Sequence, residues 1–252
     1  MTEAPRDNDF TAAARAIKQA RKVIAVTGAG ASVESGIPDF RSPGGIWDRY
    51  PPEEFATIDA FLMNPDKVWR MWYDLGALID GVAPNRGHLA LADLAREGML
   101  AAIITQNIDN LHQSAGCDNV IEYHGNAARM LCMTCRRYAP LDIRERRALA
   151  PRCACGGVMK PDVVLFGEDI PIAALHESDR HARTCDVLII VGTSATVYPA
   201  AELPYLAKAG GAFIIECNVV PTDFTTSITD VFLQGPAGVT LPRLVTAILG
   251  IP

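Results

Sequence analysis

The stretch Val23-Ile-Ala-Val-Thr27-Gly28-Ala29-Gly30 sets an unbroken apolar and β-branched run directly against a glycine pair. A run with no polar alternation predicts a strand buried on both faces, as in a parallel sheet covered by helices. Just upstream, Phe10, Ala13, Ala14 and Ile17 recur at helical spacing. Downstream the same alternation continues. Strands are predicted at 101–105, 119–123, 187–192, 212–216 and 230–233, and helices at 86–97, 108–115, 172–183, 199–209 and 240–249. This predicts the α/β class with a doubly wound, mainly parallel sheet.

Two stretches break the rhythm. Residues 34–83 offer no strand: a Gly/Pro-rich loop from Gly36 to Pro52 leads into a helical segment bearing Phe61, Leu62, Trp69, Trp72 and Leu75. Residues 127–159 hold four of the seven cysteines amid arginines. Both read as insertions into the core, so the expected division is 1–33, 84–126 and 160–252 for the large domain, 34–83 for a loop and helical module, and 127–159 for a metal module. No internal repeat or low-complexity segment is present.

Composition bounds the function. The 252 residues are 49% hydrophobic, enough for a sizeable core and against disorder of the whole. No apolar run approaches the ~20 residues of a membrane helix. The first ten residues are acidic and polar where a secretory signal would be basic and then apolar, which predicts a cytoplasmic protein. A net charge of −6 argues against whole-surface attraction to nucleic acid. Eight basic and two acidic residues between Arg129 and Lys160 form a local basic segment, for which a solvated charged face is the plainer reading.

Cys132-Met-Thr-Cys135, seventeen residues and Cys153-Ala-Cys155 supply two close thiol pairs, the pattern that grips tetrahedral zinc. Disulfides or free thiols are the alternatives, the former disfavoured by a cytosolic redox setting. Four sulfur ligands would close the shell and give the ion a structural task. Cys117, Cys185 and Cys217 read as small buried apolar residues.

Gly28-Ala29-Gly30 after a strand fits a phosphate approached by backbone N–H groups, with a purely structural turn as the alternative. Position 33 is Val where G-x-G-x-x-G has its third glycine, and no acidic residue follows on a second strand about twenty residues on. The fingerprint of hydride-transferring dehydrogenases is therefore absent. Asn107-Ile108-Asp109 reads locally as a helix start, with Asn107 or Asp109 as a cap. His124 follows a predicted strand, where a side chain reaches the carboxyl edge of the sheet; its ordinary pKa of roughly 6.5 suits a general base. Alone, it would more often be structural.

Taken together, the run Gly28-Ala-Gly-Ala-Ser-Val-Glu-Ser-Gly-Ile-Pro-Asp-Phe-Arg41, Thr105-Gln-Asn-Ile-Asp109, Tyr123-His-Gly125, the cysteine quartet, Pro161-Asp-Val-Val-Leu-Phe-Gly-Glu168 and Gly192-Thr-Ser194 resemble, in order and separation, the sirtuin family of NAD-consuming protein-lysine deacylases. The resemblance spans about residues 10–250. It implies a Rossmann-like large domain with a smaller, discontinuous zinc-binding and helical module, and both substrates meeting between them. It implies NAD as co-substrate, structural zinc on Cys132, Cys135, Cys153 and Cys155, and acetyl-lysine proteins as partners.

The same likeness assigns roles. His124 would be the general base, with Gln106 steadying the ribose beside it and Asn107 ordering the ribose side. Ile108 and Asp109 would meet the carboxamide through backbone and carboxylate, with Ser32 nearby. Phe40 would shield the reacting carbon once nicotinamide leaves, and Arg41 would partner the phosphates. Gly28, Ala29, Gly30, Val33, Asp39, Gly192, Thr193, Ser194, Asn218 and Ala237 would complete the cofactor wall, and Val164, Leu165, Phe166, Gly167 and Glu168 would pair with the substrate peptide as an added strand. The implied reaction is attack by the acyl-lysine carbonyl oxygen on C1′ of the nicotinamide ribose, giving free lysine, nicotinamide and O-acyl-ADP-ribose. Tyr73 is followed by Asp74, Leu75 and Gly76, without the arginine that grips acidic acyl groups in some relatives, so a neutral acyl chain such as acetyl is expected and longer neutral chains stay open.

The chain departs from the family pattern in its Cys-x-Cys second pair, in Ala31 and Val33, and in Gln234-Gly-Pro-Ala237, which only loosely resembles the adenine-contacting loop. Rival readings are protein mono-ADP-ribosyl transfer, a zinc-stapled nucleic-acid or protein-binding module, and a hydride-transferring oxidoreductase. His88, His112, His176 and His181 have no counterpart in the motifs.

Overall fold

The computed structural model describes residues 7–142 and 149–250. The polar start of the chain (1–6) and Arg144, Arg146 and Arg147 of the basic segment lie outside the described residues.

Six strands form a wholly parallel sheet: β1 (Val23–Thr27), β2 (Ala102–Thr105), β3 (Val120–Glu122), β7 (Val187–Val191), β8 (Phe213–Asn218) and β9 (Val231–Gln234), in the order β3-β2-β1-β7-β8-β9. Three more, β4 (Gly125–Cys132), β5 (Tyr138–Pro140) and β6 (Met159–Val163), make a separate antiparallel sheet in the order β5-β4-β6. With the small sheet set aside, the parallel strands run 3-2-1-4-5-6, the doubly wound Rossmann order. The order reverses between β1 and β7, and a crevice opens there at the carboxyl ends of the strands.

Both central strands are buried along their whole length, as their apolar runs require. One face of the sheet is covered by helices Asp7–Gln19, Arg86–Arg96 and Ala237–Gly250 through Phe10, Ile17, Leu91, Leu94, Leu241 and Leu244. On the other face lie Ile172–Thr184 and Leu203–Ala209, with Ala182, Leu203 and Ala207 in the core. A third cluster joins the two insertions: Phe61, Trp69, Met71, Trp72 and Leu75 pack with Cys132, Met159 and Leu165. Trp69 Nε1 donates to the Met159 carbonyl at 2.9 Å, so even the indole's polar edge is spent on the small sheet.

Several elements differ from expectation. Residues 125–163 contain the three strands of the small sheet, which the sequence pattern did not reveal. The glycine loop after β1 opens into two short 3-10 turns, Ala29–Ala31 and Val33–Ser35, and not into a regular helix. The helix expected over 108–115 is Leu111–Ser114 only, because Asn110 takes a left-handed conformation (φ 63°) that an α-helix cannot continue through. None of the described helices is long and apolar enough to cross a membrane.

Candidate active site

At the strand-order reversal the backbones of two loops touch. Gly28 and Gly30 donate N–H bonds to Val191 and Gly192 carbonyls, each at 2.9 Å. A Cβ on Gly30 would lie 2.8 Å from Gly192 Cα and 2.9 Å from its carbonyl oxygen, so only glycine permits this approach. Ala31 and Ser32 donate to Gly28 and Ala29 carbonyls. The N–H groups of 28, 30, 31 and 32 are thus spent within the protein; what the glycines secure here is the close seam between β1 and β7.

Above the seam lies one cavity of about 890 Å³, at the upper end of the range for small-molecule sites. Every residue expected at the cofactor and peptide sites lines it: Gly28, Ala29, Gly30, Ser32, Val33, Asp39, Phe40, Arg41, Gln106, Asn107, Ile108, Asp109, His124, Val164–Glu168, Gly192, Thr193, Ser194, Asn218 and Ala237.

The polar groups at its centre are mutually oriented. Asn107 Nδ2 donates to the Gly28 carbonyl at 3.0 Å and to Ser32 Oγ at 3.1 Å. Ser32 Oγ donates to Asp109 Oδ2 at 2.6 Å, while Asp109 Oδ1 accepts the Leu111 N–H at 2.9 Å. Asp109 therefore serves the helix end and the cavity at once, whereas Asn107 does not cap. Gln106 Nε2 donates to Thr193 Oγ1 at 3.1 Å, and Asn218 Nδ2 to the Thr193 carbonyl at 2.9 Å, tying the ends of β2, β7 and β8 together.

His124 joins β3 to β4. Its Nδ1 lies 3.2 Å from the Gln106 carbonyl. A carbonyl only accepts, so Nδ1 carries the proton and Nε2 is left as the free base. Burial lowers the pKa of this imidazole below its ordinary value, against an opposing effect of that hydrogen bond.

Phe40, a core aromatic by residue type, is half-buried here, with its ring 4.9 Å from Trp47. Asp39 is occupied with its own turn: its carboxylate accepts the Arg41 N–H at 3.0 Å, the Ser42 N–H at 2.8 Å and the Ser42 hydroxyl at 2.6 Å.

On the opposite wall, the N–H groups of Val164, Leu165, Phe166 and Glu168 go to the His124 carbonyl, Glu168 Oε2, the Ala56 carbonyl and the Leu165 carbonyl. The expectation of a free strand edge along 164–168 narrows accordingly, since four of its donors are already engaged. Glu168 also accepts from Lys160 Nζ at 2.8 Å, and that ammonium, buried at 4% exposure, donates to the Val163 carbonyl at 2.6 Å. The pair latches the loop from below; a buried ammonium survives only when its protons are matched in this way.

The four cysteine sulfurs of the quartet all lie within 4.8 Å of one another, with Cys132–Cys155 at 3.6 Å and Cys135–Cys153 at 3.7 Å. A zinc ion with Zn–S bonds of ~2.3 Å requires tetrahedral edges of roughly 3.8 Å, so the Cys-x-Cys knuckle is accommodated. A side chain at Gly157 would meet Cys132 Sγ at 2.8 Å, which keeps that side of the cluster clear. Arg137 Nε donates to Cys135 Sγ at 3.3 Å and favours the thiolate. Cys117, Cys185 and Cys217 are buried.

Further lining groups lie outside the motifs: Thr196, Val197 and Tyr198 after the Gly-Thr-Ser run, Val219–Asp223 after β8, and an apolar end formed by Ile46, Met71, Trp72, Leu75 and Ile79. Only the last had a signal, the aromatic helical segment.

A family model described as the Sir2 family matches residues 28–199. An "NAD-dependent protein deacylase 2" of Pyrobaculum aerophilum is 46% identical over 230 residues, 91% of this chain and 92% of that protein. From the same organism, an "NAD-dependent protein deacetylase 1" is 45% identical, covering 90% of each chain. Among solved structures, a Sir2 homologue–NAD complex superposes with TM-score 0.91 at 37% identity, over 99% of this chain and 96% of that one. A Sir2–p53 peptide–NAD+ structure gives 0.84 at 33%, over 92% and 95%.

Proposed function

This chain belongs to the Sir2 family, and from that premise we propose that it is an NAD-dependent protein-lysine deacetylase whose two substrates meet in the cavity above the β1–β7 seam. The observation that carries the reading is the convergence on one cavity of an imidazole with a bare Nε2, the Asn107–Ser32–Asp109 chain, and the latched loop 164–168. Acyl transfer to NAD needs a base for the ribose hydroxyls, polar partners for the carboxamide and a wall for the peptide. All three are within reach of one another.

NAD supplies the electrophilic C1′ and leaves as two pieces. The acyl-lysine carbonyl oxygen bonds to C1′ as the C–N bond to nicotinamide breaks and that electron pair departs with the ring. Ile108 and Asp109 meet the carboxamide, Asn107 orders the ribose side, and Asp109 also fixes Ser32 by accepting a hydrogen bond from its hydroxyl. His124 Nε2 then takes the proton released when a ribose hydroxyl adds to the acyl carbon, and water completes release of the free amine and O-acetyl-ADP-ribose. Phe40, braced by Trp47, keeps water from C1′ in the interval. The apolar end at Met71, Trp72, Leu75 and Ile79 supports a neutral acyl chain. Cys132, Cys135, Cys153 and Cys155 would hold zinc through four sulfurs, which would leave no position for substrate and give the ion the task of holding the small sheet together.

The division into 1–33, 84–126 and 160–252 for the NAD-binding domain, 34–83 for the helical module and 127–159 for the zinc module follows the same reading. The small sheet carries the module's edges out to Gly125 and Val163. A nucleic-acid module is less consistent with the basic segment, because Arg129 is bound to Glu122 at 2.8 Å and Asp162 at 2.5 Å, and Lys160 is buried.

The test mixes the purified protein with NAD and an acetyl-lysine peptide and follows masses. Loss of acetyl matched one for one by nicotinamide and O-acetyl-ADP-ribose is expected; intact peptide gaining ADP-ribose would establish transfer instead, and NADH absorbance would establish a hydride reaction. His124→Ala should lower turnover by roughly 10²–10⁴-fold, the usual worth of a positioned base, with zinc content unchanged. Undiminished turnover would remove His124 from the mechanism.

A further inference from the structure

Beneath Asn107 a buried column of side chains ends on an imidazole that no step above employs. Thr27 and Thr105 are register partners at the ends of β1 and β2. The Asn107 backbone N–H donates to Thr105 Oγ1 at 3.0 Å, and the Thr27 hydroxyl donates to that same oxygen at 2.9 Å. His112 Nε2 lies 2.9 Å from Thr27 Oγ1. Thr27, Thr105 and His112 are 0%, 3% and 1% exposed, which shields these bonds from bulk solvent.

Proton counting fixes the direction of the column. A threonine hydroxyl has one proton, and Thr27 gives its own to Thr105. Toward His112 it can only accept, so Nε2 carries the hydrogen and Nδ1 is bare. Burial keeps the ring neutral, pushing its pKa down to about 3.

The neighbouring imidazole is fixed independently. His88 Nδ1 accepts the Asn85 N–H at 3.3 Å, which places the His88 proton on Nε2. The two ring centroids lie 4.8 Å apart, and the remaining nitrogens, a donor on His88 and an acceptor on His112, have no hydrogen-bond partner among the described residues. The tautomers reached from the two ends are therefore complementary.

The column ends on a segment that side-chain bonds of Gln106, Asn107, Asp109 and Asn110 tie to its surroundings, while the backbone N–H of Asn107 is held by the column itself. Residues 106–110 have no regular structure; Gln106 N–H reaches the Thr27 carbonyl at 2.9 Å, and Asn107 N–H has Thr105 Oγ1. A backbone shift at 107 would carry its amide away from Gly28 and Ser32.

We propose that His112 is a positioning residue for the deacetylation reaction: its neutral Nε2–H, passed through the Thr27 and Thr105 hydroxyls, sets the backbone at Asn107 and thereby the side chain that orders the ribose. This rests on the deacetylase reading above. A role confined to packing would lower stability without selecting among kinetic constants. A positioning role lowers kcat and spares the KM of the acetylated peptide, because the peptide wall at 164–168 is not part of the column.

The experiment compares His112→Leu, which removes the donor, with His112→Gln, whose side-chain amide offers an N–H at about the same reach, and with the near-isosteric Thr27→Val, which cuts the column in its middle. His112→Leu and Thr27→Val should each lower kcat roughly tenfold or more, as small misplacements near reacting atoms do. Their double variant should be no worse than either alone. His112→Gln should stay within about twofold of the parent, and peptide KM should hold throughout. Equal impairment of the Gln and Leu variants, or parental kcat in Thr27→Val, overturns the proposal. If His112→Leu does not fold, Thr27→Val and His112→Gln still decide it. ¹⁵N chemical shifts of the His112 ring in the parent protein supply an arm independent of turnover: Nε2–H with bare Nδ1 is expected, and the opposite tautomer overturns the column even in an active enzyme. A parent protein that releases no nicotinamide with the expected tautomer present would instead fault the deacetylase reading.

Discussion

In the six-stranded sheet β1 and β7 are buried along their full length and their loops meet backbone to backbone through Gly28, Gly30 and Gly192, whereas in the three-stranded sheet β5 is largely exposed and β4 is buried mainly at its ends. The first is an apolar layer with helices on both faces. The second is a thin sheet whose one strong junction, apart from the helical insertion packed on it, is four sulfur atoms. Burial of apolar surface scales with area, and a small sheet has little to offer, so a metal held by those sulfurs would supply what packing lacks. The difference also divides labour. The thick sheet fixes the seam on which NAD would lie, and the thin one carries loop 164–168 on the far wall.

Removing the metal should break the small sheet alone. Structural zinc sites of this kind are worth about 10–16 kcal/mol to the segments they organise. Cys132→Ser, at a fully buried ligand, should therefore abolish hydrogen-exchange protection in β4, β5 and β6 while β1, β2, β7 and β8 keep theirs. Peptide deacetylation would vanish and NAD binding would weaken less. Loss of protection spread evenly over both sheets would mean that the two are one cooperative unit.

A smaller effect is expected at the seam. Gly30→Ala puts a methyl group against Gly192 backbone at 2.8 Å, where no flexible side chain can yield. Overpacking of this kind costs roughly 1–3 kcal/mol. The expected result is a fall in Tm of several degrees and a several-fold rise in the KM for NAD, with zinc content and peptide KM unchanged. A variant whose peptide KM rises in step with that for NAD would show that the seam and the far wall are not separable.

The same contrast explains what the sequence could and could not disclose. The thick sheet was legible because burial on both faces forces continuous apolar runs: β1 falls at Val23–Thr27 as expected, and the other parallel strands lie within two residues of their predicted ends. The thin sheet was not. β6 is Met-Lys-Pro-Asp-Val, with a proline and two charged residues that argue against a strand, and it is tolerable only as the edge of three strands. β4 departs from alternation because its register shifts between Gly125 and Met130. At the site, the motif runs 28–41, 106–109, 164–168 and 192–194 carry residues that line the cavity, whereas the lining runs 196–198 and 219–223 belong to no motif. The His112–Thr27–Thr105 column joins positions 27, 105 and 112 by tertiary contact, and Glu168 turned inward to Lys160; neither leaves a local pattern to read.

The finest discrimination between the two regions is by pH. His124 acts as a base only when neutral, and burial has lowered its pKa from 6.5 in spite of the Gln106 carbonyl on Nδ1. A lowered pKa keeps the ring neutral to more acidic solution, so the acid limb of kcat/KM should fall below pH 6.5, with activity retained above it and lost as pH drops through the folded-state value. The linked stability has the same sign: it is present above 6.5, where the unfolded chain is also neutral, and declines as pH falls. The zinc thiolates also take up protons in acid, and the metal must therefore be assayed at each pH. With zinc still bound, a limb midpoint below 6.5 assigns the loss to the imidazole of His124; a midpoint at or above 6.5, or one that tracks zinc release, assigns it to the thin sheet and leaves His124 without the base role. The change across the limb is less than tenfold per pH unit, yet it reports on one ring between the two sheets.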